Sequence, residues 1–151
     1  MGSSYQIATG AGDDTIRIWD MRSLKALYTI PAHVSNVADI RFFRSDTFPM
    51  TTPVNGEVIM NGIEDEGDDD KNGDEDDAQE EWGYRSGLYF ASAGYDGFVK
   101  LWSADDWQLL RTLTTDSGKV MSVDLTTDGR LLASGTYNRN FQLFAPEDVP
   151  V

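Results

Sequence analysis

Three segments of this chain align with one another without gaps, and this internal repeat restricts the possible folds more than any other feature. The segments read ATGAGDDTIRIWD, ASAGYDGFVKLWS and ASGTYNRNFQLFA, at residues 8–20, 91–103 and 133–145. Each combines small residues, a tight polar turn and an alternating apolar strand. A repeat of this kind predicts several copies of one supersecondary unit that stack on each other.

The spacing of the copies indicates the size of that unit and an interruption in it. The second and third copies are 42 residues apart, whereas the first and second are 83 apart. A period of roughly 40–45 residues is typical of small four-stranded sheets arranged around a ring. The surplus of 41 residues lies between residues 37 and 91, so we predict an insertion there and an intact repeat around it.

Two further strand patterns follow each of the first two aligned segments. They lie at residues 26–30 and 108–113, then at 37–43 and 120–125, so each repeat supplies four short strands. An antiparallel sheet of this size cannot bury both of its faces without neighbours. We place the first repeat and the start of the second at 5–44, the insertion at 45–87, the remaining repeats at 88–145 and a C-terminal tail at 146–151.

The polar residues of the repeat resemble those of the WD-repeat family. In that family a hydrogen-bonded chain of His, Ser or Thr, Asp and Trp ties an outer loop to the central strands. The middle repeat has this set complete, as His33, Ser92, Asp96 and Trp102. We expect the carboxylate to accept from the imidazole, the imidazole to donate to the hydroxyl and the hydroxyl to meet the indole N–H.

The other two repeats have incomplete sets. The first repeat has three members, because its histidine would lie before residue 1: Thr9, Asp13 and Trp19. The third has Asp116 at the histidine position, followed by Ser134, Asn138 and Phe144. We therefore expect the third repeat to depend mostly on apolar packing.

The resemblance implies an all-β fold, namely a WD-repeat β-propeller fragment with about two to three blades of a seven-bladed ring and a long acidic loop insertion. The chain begins inside one blade and stops after the third strand of another. We therefore expect missing sequence on the N-terminal side, and we expect this chain alone to be poorly stable or to associate, since closure of the ring removes exposed sheet edges.

Three stretches are more specific than the repeat itself: ALYTIPAH at 26–33, WQLLRTL at 107–113 and GKVMSVDLTTDGRLLASGTYNRNFQLF at 118–144. They resemble the C-terminal blades of the WD-repeat subunits of the spliceosomal U4/U6 small nuclear ribonucleoprotein. The resemblance implies a nuclear, non-catalytic scaffold that binds U4/U6 proteins, supports pre-mRNA splicing in the tri-snRNP and contacts RNA only indirectly.

Composition excludes several other functions. The chain has 26 acidic and 12 basic residues and a formal charge of −14, which opposes direct binding to phosphate backbones. It has no cysteine and one histidine, His33, so thiolate chemistry is impossible and the histidine is better explained by the repeat than by catalysis. We predict no enzyme activity, no cofactor, no metal, no small-molecule substrate and no membrane partner.

The insertion contains a motif that imitates a calcium-binding loop. Asp68, Asp70, Asn72 and Gly73 match its start, but its twelfth position is Gln79, where a bidentate glutamate is needed. Residues 64–81 contain twelve carboxylates and one lysine, a composition that repels itself. We predict that residues 45–87 are mostly disordered and removable.

Two other motifs have competing interpretations. The segment WDMR at 19–22 resembles the box of cullin-RING ubiquitin ligase substrate receptors, which supplies one alternative function; another WD-repeat scaffold is the second. These four letters are common in WD repeats, so Arg22 is better explained as an ordinary surface residue at a strand end. The tryptophans Trp19, Trp102 and Trp107 could stack on bases, but the acidic charge of the chain opposes this and the repeat positions of Trp19 and Trp102 favour packing.

We predict a binding rim at one end of the sheets. In the family, the turns that carry Asp13, Asp96 and Asn138 lie at the same end as the histidine loops. We therefore expect a rim at Tyr95, Tyr137 and Arg139. The insertion should leave the opposite end, because adjacent strands alternate in direction.

Overall fold

The computed structural model describes residues 5–45, 86–116 and 118–145. Within these ranges the chain forms ten β-strands and contains no helix that could cross a membrane. The strands are β1 Gln6–Gly10, β2 Thr15–Asp20, β3 Lys25–Pro31, β4 Val37–Arg44, β5 Leu88–Gly94, β6 Phe98–Ser103, β7 Leu109–Thr114, β8 Val120–Leu125, β9 Leu132–Thr136 and β10 Phe141–Phe144. The predictions for the centre of the insertion and for the C-terminal tail lie outside the described residues.

The strands form three antiparallel sheets. The first sheet has the order β1-β2-β3, the middle sheet β4-β5-β6-β7 and the third sheet β8-β9-β10. Each sheet boundary falls before the fourth strand of the sequence repeat. One repeat therefore supplies three strands of one sheet and the first strand of the next, and within the described ranges only the middle sheet has four strands.

Two apolar layers join the sheets. The layer between the first and middle sheets contains Ile16, Ile18, Ile30, Ala32, Val37, Phe90 and Trp102. The layer between the middle and third sheets contains Phe43, Tyr89, Ala91, Ala93, Val99, Leu101, Val120, Val123 and Leu132. The alternation of β6 explains the division, since Val99 and Leu101 face one neighbour and Trp102 the other. The middle sheet is thus covered on both faces.

The turns between strands separate into two ends. We name the turn end after the turns at 11–14, 95–97 and 137–140 and the loops at 32–36 and 115–119, which register pairing places together. The backbone N–H of Ser45 donates to the carbonyl oxygen of Gly87 at 3.0 Å, beside the pair Arg44 and Leu88. The insertion therefore leaves the middle sheet at the end opposite the Asp96 turn.

Candidate protein-interaction site

A buried hydrogen-bond network lies behind the turn end of the middle sheet. His33, from the loop between β3 and β4, has a fully buried side chain. Its Nδ1 lies 2.9 Å and 3.0 Å from the two carboxylate oxygens of Asp96, and its Nε2 lies 2.8 Å from Ser92 Oγ. Trp102 Nε1 donates to the same Oγ at 3.0 Å. The structure brings these four residues together although the insertion separates them in sequence.

The proton positions in this network differ from the order expected from the sequence. Burial lowers the pKa of His33, and the neighbouring Asp96 only partly opposes that effect, so the imidazole is neutral and has one N–H. The carboxylate needs a donor, which places the proton on Nδ1. Nε2 therefore accepts from the Ser92 hydroxyl, whereas we expected the imidazole to donate to it. The hydroxyl can donate because it accepts its other bond from the indole.

The Asp96 carboxylate also holds two backbone segments. It accepts from the N–H of Val34 at 3.0 Å and from the N–H of Phe98 at 3.3 Å. Burial raises the pKa of Asp96, but the N–H of Val34 and the imidazole of His33 together lower it below its usual range. Asp96 therefore remains ionised and links the loop at 32–36 to the turn at 95–97.

Gly94 is a further member of this site that sequence reasoning missed. A Cβ at this position would lie 2.2 Å from His33 Nδ1 and 2.5 Å from Asp96 Oδ1. The equivalent repeat positions hold Ala11 and Thr136, in the repeats that show no histidine. A glycine confined to the one histidine-containing repeat was the signal that could have revealed this close approach.

The first sheet keeps part of the expected set. Trp19 Nε1 donates to Thr9 Oγ1 at 2.8 Å. Asp13 has different partners, because it accepts from the hydroxyl of Thr15 at 2.7 Å and from the guanidinium of Arg17. The Thr15 hydroxyl lowers the pKa of Asp13 most, burial opposes this effect, and Arg17 lowers the pKa further. The structure thus brings two of the three predicted residues together.

The described residues of the third sheet do not repeat the histidine–serine–tryptophan contacts of the middle sheet. Gln142 Nε2 donates to Asp116 Oδ2 at 3.2 Å, so Asp116, at the histidine position, is bonded to a side chain of β10. Ser134 Oγ is buried and has no hydrogen-bond partner among the described atoms. Phe144, which replaces the tryptophan, has no N–H to donate and packs against the layer between the middle and third sheets.

The predicted rim lies at the turn end, where the middle and third sheets meet. Tyr137 is 71% exposed, and its backbone N–H donates to the carbonyl oxygen of Lys119 at 2.9 Å. Lys119 Nζ lies 5.3 Å from the centroid of the Tyr95 ring, within the range of a cation–π contact. Tyr95 is half-buried, and its N–H donates to the carbonyl oxygen of Asn36. The turns of both sheets and the loop at 115–119 therefore form one connected surface.

Lys119 is another rim residue that sequence reasoning missed. It occupies the repeat position of Asn36, which lies in the same loop as His33.

Arg139 is exposed and has an uncommon backbone conformation, with a φ of 64°. The equivalent turn positions are Gly97, at 87°, and Asp14, at 69°. The turn requires the left-handed region at this position in every repeat, and only the middle repeat has the residue that adopts it without strain.

Three alternative interpretations of the sequence can be compared with the structure. Trp102 is 4% exposed and stacks on Phe90 with an interplanar angle of 8°, so its ring is not available to a base. Arg22 is exposed and pairs with Asp20 at 3.0 Å. Within the described ranges, no cluster of three or more His, Asp or Glu residues could hold a metal ion. The calcium-like motif lies outside those ranges.

The family model described as "WD domain, G-beta repeat" matches residues 2–20, 84–103 and 107–144, which together make up about half of the chain. This match and the three stacked antiparallel sheets confirm the prediction of an all-β WD-repeat β-propeller fragment.

Three curated relatives show how far the similarity reaches. The "U4/U6 small nuclear ribonucleoprotein PRP4-like protein" of Arabidopsis thaliana is 33% identical over 60 residues, 40% of this chain and 11% of that protein. The "Apoptotic protease-activating factor 1" of Danio rerio is 39% identical over 54 residues, 36% of this chain and 4% of that protein. The "Pre-mRNA-processing factor 19" of Oryza sativa subsp. japonica is 24% identical over 151 residues, 91% of this chain and 27% of that protein. The chain spans about a quarter or less of each of these relatives.

Proposed function

This chain belongs to the WD domain, G-beta repeat family, and from that premise we propose that it is a non-catalytic protein-interaction scaffold of the U4/U6 and tri-snRNP particles. In this role it supports pre-mRNA splicing in the nucleus. Its partners are proteins of the U4/U6 small nuclear ribonucleoprotein, and its association with RNA is indirect.

The similarity to the Arabidopsis PRP4-like protein supports this role most directly, since 40% of the chain aligns with a protein whose name places it in the U4/U6 particle. The rice relative is named as a pre-mRNA-processing factor and aligns with 91% of the chain. The apoptotic relative shows that WD repeats alone do not determine a partner. The assignment therefore depends on an experiment with splicing proteins.

The geometry of the site supports a scaffold over an enzyme. Both nitrogens of the single histidine, His33, are engaged, one by Asp96 and one by Ser92. The side chain of His33 is fully buried, so the imidazole cannot reach a substrate as a general base. What the turn end exposes instead is Tyr137 and Arg139, residue types that are enriched where proteins bind each other.

A pull-down from nuclear extract tests the proposal. The tagged chain is immobilised with and without nuclease treatment, and the captured proteins are quantified by mass spectrometry against an unrelated WD-repeat bait. We expect U4/U6 proteins to be enriched and to remain enriched after nuclease treatment. If the U4/U6 proteins are lost on nuclease treatment, RNA holds them to the chain, which would contradict the indirect RNA association. Absence of splicing proteins would overturn the proposal.

The same experiment tests the alternative of a cullin-RING substrate receptor. Recovery of an adaptor and a cullin in place of splicing proteins would favour it, and Arg22→Ala should then abolish their capture. If the scaffold proposal is correct, Arg22→Ala leaves the set of captured proteins unchanged.

A further inference from the structure

The rim combines cations and aromatic rings in a strongly acidic chain. Lys119 and Arg139 are both exposed, and neither forms an ion pair with another described residue. Beside them lie Tyr95, which Lys119 covers, and Tyr137, which is 71% exposed. The surface thus has two unneutralised positive charges next to flat apolar rings.

We propose that the rim of Tyr95, Lys119, Tyr137 and Arg139 binds a carboxylate-bearing peptide segment of a partner protein. The inference deepens the proposed function and depends on it only for the identity of the partner. The guanidinium of Arg139 has the planar fork that matches a carboxylate with two parallel hydrogen bonds. The Tyr137 ring supplies contact area at a low cost in side-chain entropy.

The backbone of Arg139 allows its side chain to be removed without disturbing the turn. Its left-handed conformation is shared by Asp14 and Gly97 at the equivalent turn positions, so it is a property of the turn. A glycine adopts this conformation without strain, and Arg139→Gly therefore isolates the contribution of the side chain.

The distribution of charge favours a carboxylate peptide over a nucleic acid. Outside residues 64–81 the chain has 14 acidic and 11 basic residues, so the repeats themselves repel an anionic peptide only weakly. The insertion that contains the acidic run leaves the opposite end of the middle sheet. Nucleic acids require many phosphate contacts, whereas two cations on separate turns suit two single charges along a peptide.

The test is a fluorescence anisotropy titration of the purified 151-residue chain with labelled synthetic peptides. The probe is the acidic peptide EELEDFEE, and its amide counterpart QQLQNFQQ keeps the same apolar residues. We expect the acidic peptide to bind at least about 10-fold more tightly, because only it offers charge complementarity. Raising the salt from about 50 mM to about 300 mM should weaken it several-fold through screening.

Variants separate binding from folding. Arg139→Glu and Lys119→Glu should each weaken the acidic peptide about 10-fold, whereas Lys25→Glu, an equal charge change at the opposite end, should leave it unchanged. Arg139→Gly should raise the melting temperature because a glycine adopts the left-handed backbone without strain, and it should nevertheless weaken binding of the acidic peptide. Arg139→Lys should bind the peptide more tightly than Arg139→Gly and less tightly than the unmodified chain, since lysine keeps the charge and loses the planar fork.

Several results would overturn the proposal. One is equal binding of the acidic and amide peptides, and another is unchanged binding of the acidic peptide by Arg139→Glu. Tighter binding of a 12-nucleotide oligouridine than of the acidic peptide would favour a nucleic acid. A phosphoserine peptide that binds more than about 10-fold more tightly than the carboxylate peptide would favour a phosphopeptide. Because the titration uses purified components, its failure leaves the pull-down result intact. A failed pull-down likewise leaves a positive titration intact.

Discussion

The middle and third sheets are copies of one repeat, 42 residues apart, yet they are held together in different ways. In the middle sheet, Ser92 Oγ is bonded to both His33 and Trp102. In the third sheet, the equivalent Ser134 Oγ is buried without a partner among the described atoms, and Phe144 replaces the indole donor. The serine hydroxyl at this repeat position therefore stabilises the middle sheet through two hydrogen bonds and destabilises the third sheet, where it is buried without one.

The two sheets also differ in what covers their apolar faces. Val99 and Leu101 of the middle sheet are 0% and 4% exposed. Their equivalents in the third sheet, Phe141 and Leu143, are 72% and 56% exposed. The apolar character of these positions is the same, so their burial is decided by the neighbouring sheet and not by the residue type.

The third sheet nevertheless forms three paired antiparallel strands. Its Val120, Val123 and Leu132 are at most 5% exposed in the layer against the middle sheet. Packing on a neighbour is therefore sufficient for the sheet, whereas the polar network adds stability and positions the turn. Each part of this conclusion predicts a measurable difference between the two sheets.

The largest difference in stability should come from replacing the leucine at one repeat position, Leu101 in the middle sheet and Leu143 in the third. Leu101→Ala removes a side chain packed between the middle and third sheets and should destabilise the protein by about 2–5 kcal/mol. Leu143→Ala removes a half-exposed side chain and should change stability by less than about 0.5 kcal/mol. Urea unfolding of both variants measures the difference. Equal losses would mean that the Leu143 face is covered.

The next effect concerns the glycine found only in the histidine-containing repeat. Gly94→Ala should displace His33, since the new Cβ would lie 2.2 Å from Nδ1, and should cost about 2–4 kcal/mol through steric conflict and lost hydrogen bonds. His33→Ala removes the ring that is displaced. In a double-mutant cycle, Gly94→Ala should therefore cost much less on the His33→Ala background. Additive losses would contradict the steric explanation.

A smaller effect should distinguish the two equivalent serines. Ser92→Ala leaves His33 Nε2 and the Trp102 N–H without a partner and should cost about 1–3 kcal/mol. Ser134→Ala removes a hydroxyl that has no partner among the described atoms and should be neutral or slightly stabilising. Chemical unfolding at one pH compares the two variants, and a loss of stability in Ser134→Ala similar to that in Ser92→Ala would show that the Ser134 hydroxyl has a hydrogen-bond partner.

The pH dependence of the network should be the smallest of these effects. Burial places the folded-state pKa of His33 below its ordinary value of 6.5, so the unfolded chain binds more protons between the two values. The stability from the neutral imidazole is therefore complete above about pH 6.5. It is lost as the pH falls through the lowered pKa of the folded state.

This pH effect can be measured without interference, because His33 is the only histidine. An NMR titration of the imidazole C–H signals reads its pKa directly, and His33→Gln should lack the loss of stability between pH 7.5 and 5.5. The pKa of Asp96 is also lowered, from an ordinary value of 3.8. Its contribution is present above that value and is lost at lower pH, outside this window. A titration midpoint above 6.5 would refute the assignment of a buried neutral ring.

Local sequence determined the strands and turns of this protein. The pattern predicted a strand at 120–125, and the structure has Val120–Leu125. It predicted 26–30 and 37–43, and the structure has Lys25–Pro31 and Val37–Arg44. These features follow from alternating apolar residues and turn-forming residues a few positions apart, which is information that a short window contains.

Tertiary structure alone decided how those strands are used. It set the sheet boundary before β4, the direction of the proton between His33 and Ser92, the need for Gly94 and the contact of Lys119 with Tyr95. The physical reason is that each depends on groups far apart in sequence, as His33 and Asp96 are by 63 residues. Burial, pKa and steric space are properties of the sheets that meet there, and no single repeat contains them.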